Sequence, residues 1–300
     1  MAKHIFITGG TGFIGHKLCR TLYQRGIQVS VFSRRSEDQV QALCGPVRVV
    51  DRLSALPGLG PVDGVFNLAG EGIADKRWSE ARKKELLDSR VALTHELVGH
   101  MKRCPVPPPV LISGSAVGYY GDQGDREVTE DTSPQNEFTH TMCADWEAAA
   151  LEAADISRVC LSRTGLVIGA GGGFLEKMRL PFKLGLGGRL SHGRQFMPWI
   201  HRDDMVAALL FLLDTSDASG AYNLTAPNPV SNREFTRILG KVLHRPTVLP
   251  APALALKLAM GEMAGLLLTG QKALPARLQQ AGFEFRFPTL QPALQEALGE

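Results

Sequence analysis

His4-Ile5-Phe6-Ile7-Thr8-Gly9-Gly10-Thr11-Gly12-Phe13-Ile14-Gly15 is the stretch whose reading decides the fold. Ile5 to Ile7 is a short apolar run that fits a parallel strand buried on both faces. Glycines follow at Gly9, Gly12 and Gly15, and residues from His16 to Arg25 then carry helical spacing. Strand, glycine turn and helix together make a dinucleotide-binding unit. Gly9 permits the tight turn, Gly12 lets the backbone approach a pyrophosphate, and Gly15 lets the helix pack on the strand. The pyrophosphate rests on unpaired N–H groups at the helix N-terminus, around Phe13 and Ile14, where the helix dipole favours an anion.

Outward from this unit, Gln28 to Phe32 reads as a second strand, beyond a helix stop at Gly26. It ends in Ser33-Arg34-Arg35, with no acid before Glu37. The residue at this strand end lies beside the adenosine ribose: an acid there binds the 2′-hydroxyl of NAD, whereas arginine accommodates the 2′-phosphate of NADP. Two guanidiniums and a hydroxyl suit a phosphate, so the cofactor expected is NADP. Val47 to Val50 is a third strand, ending in Asp51, which either touches the adenine or starts a turn. Gly64 to Leu68 is a fourth, leading into Leu68-Ala69-Gly70, small enough to let the backbone lie against ribose and pyrophosphate.

A charged helix spans about Ser79 to Met101 and carries Glu85 and Arg90, which on their own read as a solvated face. Val110 to Ser113 is the fifth strand, and the alternation to this point predicts a Rossmann-like doubly wound parallel sheet, class α/β. The segment from Ser113 to Asp122 places hydroxyls at the carboxyl end of a central strand, where a ligand crevice lies. A helix over about Thr139 to Ala154 and a sixth strand over Val159 to Ile168 follow. Gly169 to Gly173 reads as a hinge or lid. Asp203 and Asp204 open a helix over Met205 to Leu213. The chain divides into a dinucleotide-binding domain at 1–226, with a cleft-forming insertion at about 170–200, and a smaller helical C-terminal segment at 227–300 that completes a substrate cleft.

Composition limits the alternatives. The 300 residues are 44% hydrophobic and 21% charged, with a net charge of +3, too small to argue for nucleic acid or a membrane surface as partner. Five scattered cysteines without a Cys-x-x-Cys pair suit reduced thiols, not a disulfide framework or a zinc site, and no metal is expected. Without a signal-peptide pattern or an uncharged apolar run of spanning length, the expected location is the cytoplasm. The expected partner is a small-molecule substrate, and a homodimer is compatible with this reading.

With these pieces in place the chain resembles the extended short-chain dehydrogenase/reductase superfamily, which contains sugar-nucleotide epimerases. Thr8 to Gly15, Asn67 to Gly70, the serine segment ending Tyr120-Gly121 and Trp199 to Asp204 match its landmarks. Within it the chain looks closest to an atypical branch of NAD(P)-binding "epimerase family" proteins with a C-terminal domain of unknown function. Asn67 to Glu71, Asp88-Ser89-Arg90, Ser115 to Gly121, Pro181 to Gly188, Pro198 to His201, Gly270-Gln271-Lys272 and Gly282 to Pro288 carry that likeness. The resemblance implies NADP binding through Ser33 and Arg34, Leu68 and Ala69, and Glu85 and Arg90; it implies no substrate.

One departure from the superfamily bears on chemistry. Its members use a tyrosine and a lysine four residues later, the lysine lowering the tyrosine pKa so that the phenol exchanges a proton with substrate. The four tyrosines here, Tyr23, Tyr119, Tyr120 and Tyr222, are followed four places on by Ile27, Gln123, Gly124 and Ala226. Aligning Glu147 with the family's acidic residue puts Thr139 and Cys143 in the tyrosine and lysine positions. Ser115 would orient a substrate oxygen, and the proton donor would be Tyr120, His140 or water. Two functions follow: an oxidoreductase or epimerase moving hydride at a nicotinamide, or an NADP-binding sensor or interaction module that has lost its chemistry.

Overall fold

The computed structural model describes residues 3–299. Strand β1 (His4–Thr8) runs into helix α1 (Gly15–Gln24), followed by β2 (Gln28–Phe32), α2 (Glu37–Cys44), β3 (Arg48–Val50) and β4 (Gly64–Asn67). Next come α3 (Glu80–Leu87), a π-helical turn at Asp88–Ala92, α4 (Leu93–Met101), β5 (Val110–Ala116), β6 (Glu127–Val128) and α5 (Phe138–Leu151). Then follow β7 (Arg158–Thr164), β8 (Leu166–Ile168), α6 (Gly173–Lys183), β9 (Phe196–Met197), β10 (Trp199–His201), α7 (Arg202–Asp214) and β11 (Gly220–Leu224). The C-terminal part holds β12 (Val230–Ser231), α8 (Asn232–Val242), α9 (Ala253–Met260), α10 (Gly265–Leu268), β13 (Lys272–Ala273), α11 (Ala276–Gln280) and α12 (Leu290–Leu298).

Seven strands form one parallel sheet in the order β11-β7-β5-β4-β1-β2-β3. Ile5, Phe6 and Ile7 of β1 are fully buried because the sheet is covered on both faces. On one face Leu18, Leu22, Val40, Met205 and Leu209 of α1, α2 and α7 pack on Ile5, Ile7 and Val31. On the other, Leu97, Met101 and Ala150 of α4 and α5 pack on Phe6, Val65 and Leu111. The chain leaves β1 toward β2 and β3 and returns to β4 on the opposite side of β1. That reversal of strand order leaves a crevice at the carboxyl ends of β1 and β4. The architecture is the doubly wound α/β sheet expected.

Two local expectations differ, and one helix, α2, was not expected at all. Val159 to Ile168 is two strands, not one, because a Cβ at Gly165 would lie 2.6 Å from the Pro198 carbonyl oxygen and 3.0 Å from Thr225. The chain turns at that close approach, and β8 leaves the large sheet to pair with β10. The helix over 79–101 carries the π turn at Asp88–Ala92, and α2 carries no strong apolar periodicity in the sequence.

A second core draws on both sides of residue 226. Ile168, Leu175, Phe182, Met197 and Trp199 join Phe235, Leu239, Leu290 and Leu294 in one cluster. No helix of the described residues is long and apolar enough to cross a membrane.

Candidate functional site: a dinucleotide cradle and the cleft beside it

The cradle is built from backbone. Gly9 has a φ of 70°, in the left-handed region, and a Cβ there would lie 2.5 Å from the Leu68 carbonyl. A Cβ at Gly15 would lie 2.2 Å from the Gly9 oxygen, so the start of α1 sits directly on the turn. Gly12 is different: it is exposed, and a Cβ would meet only the Gly9 oxygen, at 3.2 Å. The space in front of Gly12 is therefore open on the side from which an anion would approach. Helix α1 has no side-chain cap and no acid in its first turn. The N–H groups of Phe13 and Ile14 donate to nothing among the described residues, whereas Gly12 N donates to Gly9 O at 3.0 Å. Unpartnered N–H groups at a helix N-terminus with open space before them fit a pyrophosphate.

Buried polar groups tie the neighbouring strand ends together. Thr8 Oγ1 donates to Asn67 Oδ1 at 2.7 Å, and Asn67 Nδ2 donates to Thr94 Oγ1 and Ser113 Oγ at 2.7 and 3.1 Å. Ala69 N in turn donates to Thr8 Oγ1 at 3.3 Å, which sets the Leu68-Ala69 backbone against the glycine turn. Gly70 lies under Arg90: a Cβ there would be 3.1 Å from the guanidinium carbon. Arg90 donates to the Leu86 and Glu71 carbonyls at 3.1 and 2.8 Å, so it braces the 70–71 loop. Glu85 is exposed and pairs with Arg82 at 2.8 Å, placing it on the helix surface. Arg82 escaped the sequence reading, although it is 5% exposed and also donates to the Gly72 carbonyl at 2.8 Å. Its position in a highly charged run gave no sign of burial.

At the end of β2, Ser33 is buried and its Oγ accepts from Arg35 N at 3.1 Å. The Arg34 side chain is 88% exposed, 3.8 Å from Glu71 across the crevice. Asp51 is exposed, 4.0 Å from Arg52.

The glycine run after β8 has a specific use. Cβ atoms at Gly169, Gly172 and Gly173 would lie 3.2, 2.7 and 2.8 Å from the Phe13 ring, and Arg202 caps that ring at 4.7 Å. The run seats the aromatic side chain of the phosphate loop, and α6 starts from it.

The catalytic candidates separate sharply. Ser115 is 4% exposed, and its Oγ donates to Glu147 Oε1 at 2.6 Å. Glu147 is held by Arg163 through two hydrogen bonds of 2.8 Å. Burial opposes the charge of Arg163, yet the Glu147 carboxylate outweighs it and holds the guanidinium above the usual arginine range. Tyr120 is 0% exposed; its hydroxyl donates to Asn223 Oδ1 at 2.6 Å and accepts from Arg163 Nη1 at 3.0 Å. Burial pushes its pKa up to about 12, with Arg163 only partly offsetting this. This placement corrects the expectation that Tyr120 could serve as proton donor: it is a sealed structural phenol. Its neighbour Tyr119 is half-buried, and its hydroxyl makes no hydrogen bond among the described residues. The Tyr119 ring stacks on Arg163 at 3.5 Å and meets the His140 ring edge-on at 5.0 Å. His140 Nδ1 is 2.7 Å from the Tyr119 carbonyl. A carbonyl only accepts, so Nδ1 carries a hydrogen, and in the neutral ring this leaves the lone pair on Nε2. Cys143 is buried, and burial, with Glu147 adding to it, pushes its thiol up to about 12.

A cavity of about 590 Å³ opens between Ser191-His192 and the segment carrying α9 and α10, with Lys257, Glu262 and Thr269 in its wall. Glu262 pairs with Lys83 at 2.6 Å, and Lys83 lies 5.4 Å from the Phe138 ring, which packs in one cluster with Tyr119. No group of three or more metal-ligating side chains occurs among the described residues.

Known proteins match this arrangement from end to end. The profile of the NAD dependent epimerase/dehydratase family matches residues 5–225, and that of a domain of unknown function, DUF1731, matches residues 251–297. The epimerase family protein SDR39U1 of Mus musculus is 37% identical over 298 residues, covering 98% of this chain and 99% of that protein. An epimerase family protein of Mycobacterium bovis is 46% identical over 239 residues, 79% of this chain and 78% of that one. The crystal structure of human SDR39U1 (isoform 2) with NADPH has a TM-score of 0.91 at 36% identity, covering 99% of both chains. UDP-glucose 4-epimerase of Thermotoga maritima, at 16% identity, has a TM-score of 0.79 over 99% of this chain and 97% of that one, a likeness of fold. With the glycine cradle, the doubly wound sheet and these matches agreeing, the chain belongs to the NAD dependent epimerase/dehydratase family.

Proposed function

We propose that this protein binds NADP(H) on the Gly9–Gly15 loop and uses it as an oxidoreductase or epimerase on a small-molecule alcohol or carbonyl. The observation that carries the cofactor choice is the end of β2, where Ser33, Arg34 and Arg35 come with no acid before Glu37 and the Arg34 side chain is 88% exposed, its one ion-pair partner, Glu71, standing off at 3.8 Å. The human SDR39U1 structure solved with NADPH supports the same choice. The backbone N–H groups of Phe13 and Ile14 would hold the pyrophosphate, and Leu68 to Gly70 would line the ribose. The bound nicotinamide supplies a hydride donor or acceptor at the carboxyl ends of β1, β4 and β5.

The chain's own groups divide the remaining tasks. Ser115 has given its hydrogen to Glu147, so its oxygen is left to accept a hydrogen bond from a substrate hydroxyl. Tyr119 Oη and His140 Nε2, linked to Ser115 through Glu147 and the Arg163 guanidinium under the Tyr119 ring, would carry and accept the proton in place of the superfamily's tyrosine and lysine. The large cavity against α9 and α10 gives the substrate room. A second reading, a nucleotide sensor without turnover, is favoured by Thr139 and by the inert Cys143 at the positions where the superfamily has its catalytic pair.

Calorimetric titration with NADPH and NADH tests the cofactor choice. Wild type should bind NADPH more tightly, and Arg34→Ala should weaken NADPH about tenfold, since a hydrogen bond to a charged group contributes roughly 1.5–3 kcal/mol. NADH affinity should stay unchanged. Equal binding of both nucleotides by wild type would overturn the assignment.

A further inference from the structure

Arg189, Arg233 and Arg237 converge on a cavity of about 300 Å³, walled on its remaining side by Thr236, Thr247 and Val248. It shares no lining residue with the larger cavity beside α9 and α10. A Cβ at Gly193 would lie 3.2 and 3.4 Å from the Cβ atoms of Arg233 and Arg189, so the turn that carries His192 wedges between the two arginines. None of the three guanidiniums has a carboxylate within 4.0 Å among the described residues. Arg233 makes one bond, from Nη2 to the His192 carbonyl at 3.3 Å. Arg189 and Arg237 make no side-chain hydrogen bond among the described residues. Three like charges gathered around one cavity repel one another unless an anion joins them.

A second, independent feature lines the same cavity. Thr236 is 2% exposed, and its Oγ1 is one of the few buried side-chain polar atoms of the described residues with no partner. A threonine inside a helix ordinarily bonds back to the carbonyl one turn earlier, and in α8 this one does not. An unpaired buried hydroxyl destabilises a fold, and an anion oxygen in the cavity would accept its hydrogen.

The geometry points to a second anion site, in which Arg189, Arg233, Arg237 and the Thr236 hydroxyl hold the phosphate group of a ligand other than the dinucleotide. Planar guanidinium forks match phosphate oxygens in pairs, and the hydroxyl supplies a neutral donor from below. The cavity is several times larger than one phosphate, so the ligand is a phosphate ester or a diphosphate. Arg189 lies on the segment that continues into Ser191 and His192 of the larger cavity wall, so occupancy here would stiffen that wall.

The test is calorimetric titration of inorganic pyrophosphate into the full chain with NADPH present in excess, which removes the glycine loop as a competing site. One pyrophosphate should bind per chain. The Arg233→Ala/Arg237→Ala double variant should weaken it at least tenfold, and Thr236→Val, which keeps the shape, should weaken it about threefold. Arg103→Ala, at an exposed arginine belonging to neither site, should bind it as wild type does. All three arginines are exposed, so the double variant should melt within a few degrees of wild type. Cosedimentation with phosphatidylcholine vesicles carrying a phosphatidylinositol phosphate separates the sources. Sedimentation lost in the double variant would identify a lipid headgroup, and none at all would identify a soluble phosphate ester. No pyrophosphate heat from wild type, or equal binding by wild type and double variant, would overturn the site.

Discussion

Ser115 Oγ carries one hydrogen and spends it on Glu147, and that single bond sets what the residue can do. Arg163 pairs with the same carboxylate and keeps it charged, so the hydroxyl cannot turn to donate elsewhere without giving up a charge-assisted hydrogen bond in a buried site. Acid–base assistance is typically about 10²–10⁴-fold, so Tyr119→Phe and Ser115→Ala should each slow turnover about 100-fold on any substrate found. NADPH affinity should stay within about threefold, because neither side chain belongs to the cradle. The measurement is direct product analysis over a panel of carbonyl compounds and sugar nucleotides, since an epimerase returns its hydride and shows no net oxidation. Unchanged turnover in Tyr119→Phe would remove that phenol from the reaction. The position of Ser115 at the carboxyl end of a central strand was legible in the sequence, although β5 runs through it to Ala116 where the sequence reading ended the strand at Ser113. The choice between adjacent tyrosines was not, because it is made by Asn223 and Arg163, which lie 103 and 43 residues from Tyr120 along the chain.

Among the elements, the β1 turn and α1 were fully readable, and for a physical reason. A backbone path that excludes Cβ atoms at Gly9 and Gly15 leaves glycine as its trace in the sequence. The end of β2 carries a mark of another kind, two arginines with no acid before Glu37, and the proposed choice of NADP rests on it. Gly165 shows the limit. Its close approach is to Pro198 and Thr225, so nothing near residue 165 marks where one strand becomes two. Gly169 to Gly173 reads locally as a hinge, yet its glycines make room for Phe13, more than 150 residues earlier in the chain.

For the molecule as a whole, the C-terminal segment is fastened to the sheet domain at the start of α7. Asp204 accepts hydrogen bonds from Arg286 N and Phe287 N, both at 2.9 Å, and His201 Nε2 meets Glu296 at 2.7 Å. Phe287 stacks on the His201 ring at 4.0 Å. Asp204→Ala leaves two backbone donors without partners and should destabilise the protein by roughly 1–3 kcal/mol in urea unfolding. Amide exchange over residues 285–298 should rise more than that of β1 or β4. Equal protection throughout would mean that the second core alone holds the segment. Proline-separated helices led to the expectation of a C-terminal segment from residue 227, but its core is shared with residues 168–199 through contacts that no local pattern encodes.

If a nicotinamide dinucleotide lies over Gly12, titration of the Gly12→Val variant with NADPH will show it. A Cβ at Gly12 meets only one protein atom, so the variant should fold, giving a wild-type circular dichroism spectrum and a melting temperature within a few degrees. Its branched side chain fills the space through which the pyrophosphate reaches the Phe13 and Ile14 N–H groups, so NADPH binding should be lost. A folded Gly12→Val protein that binds NADPH as tightly as wild type would contradict the account.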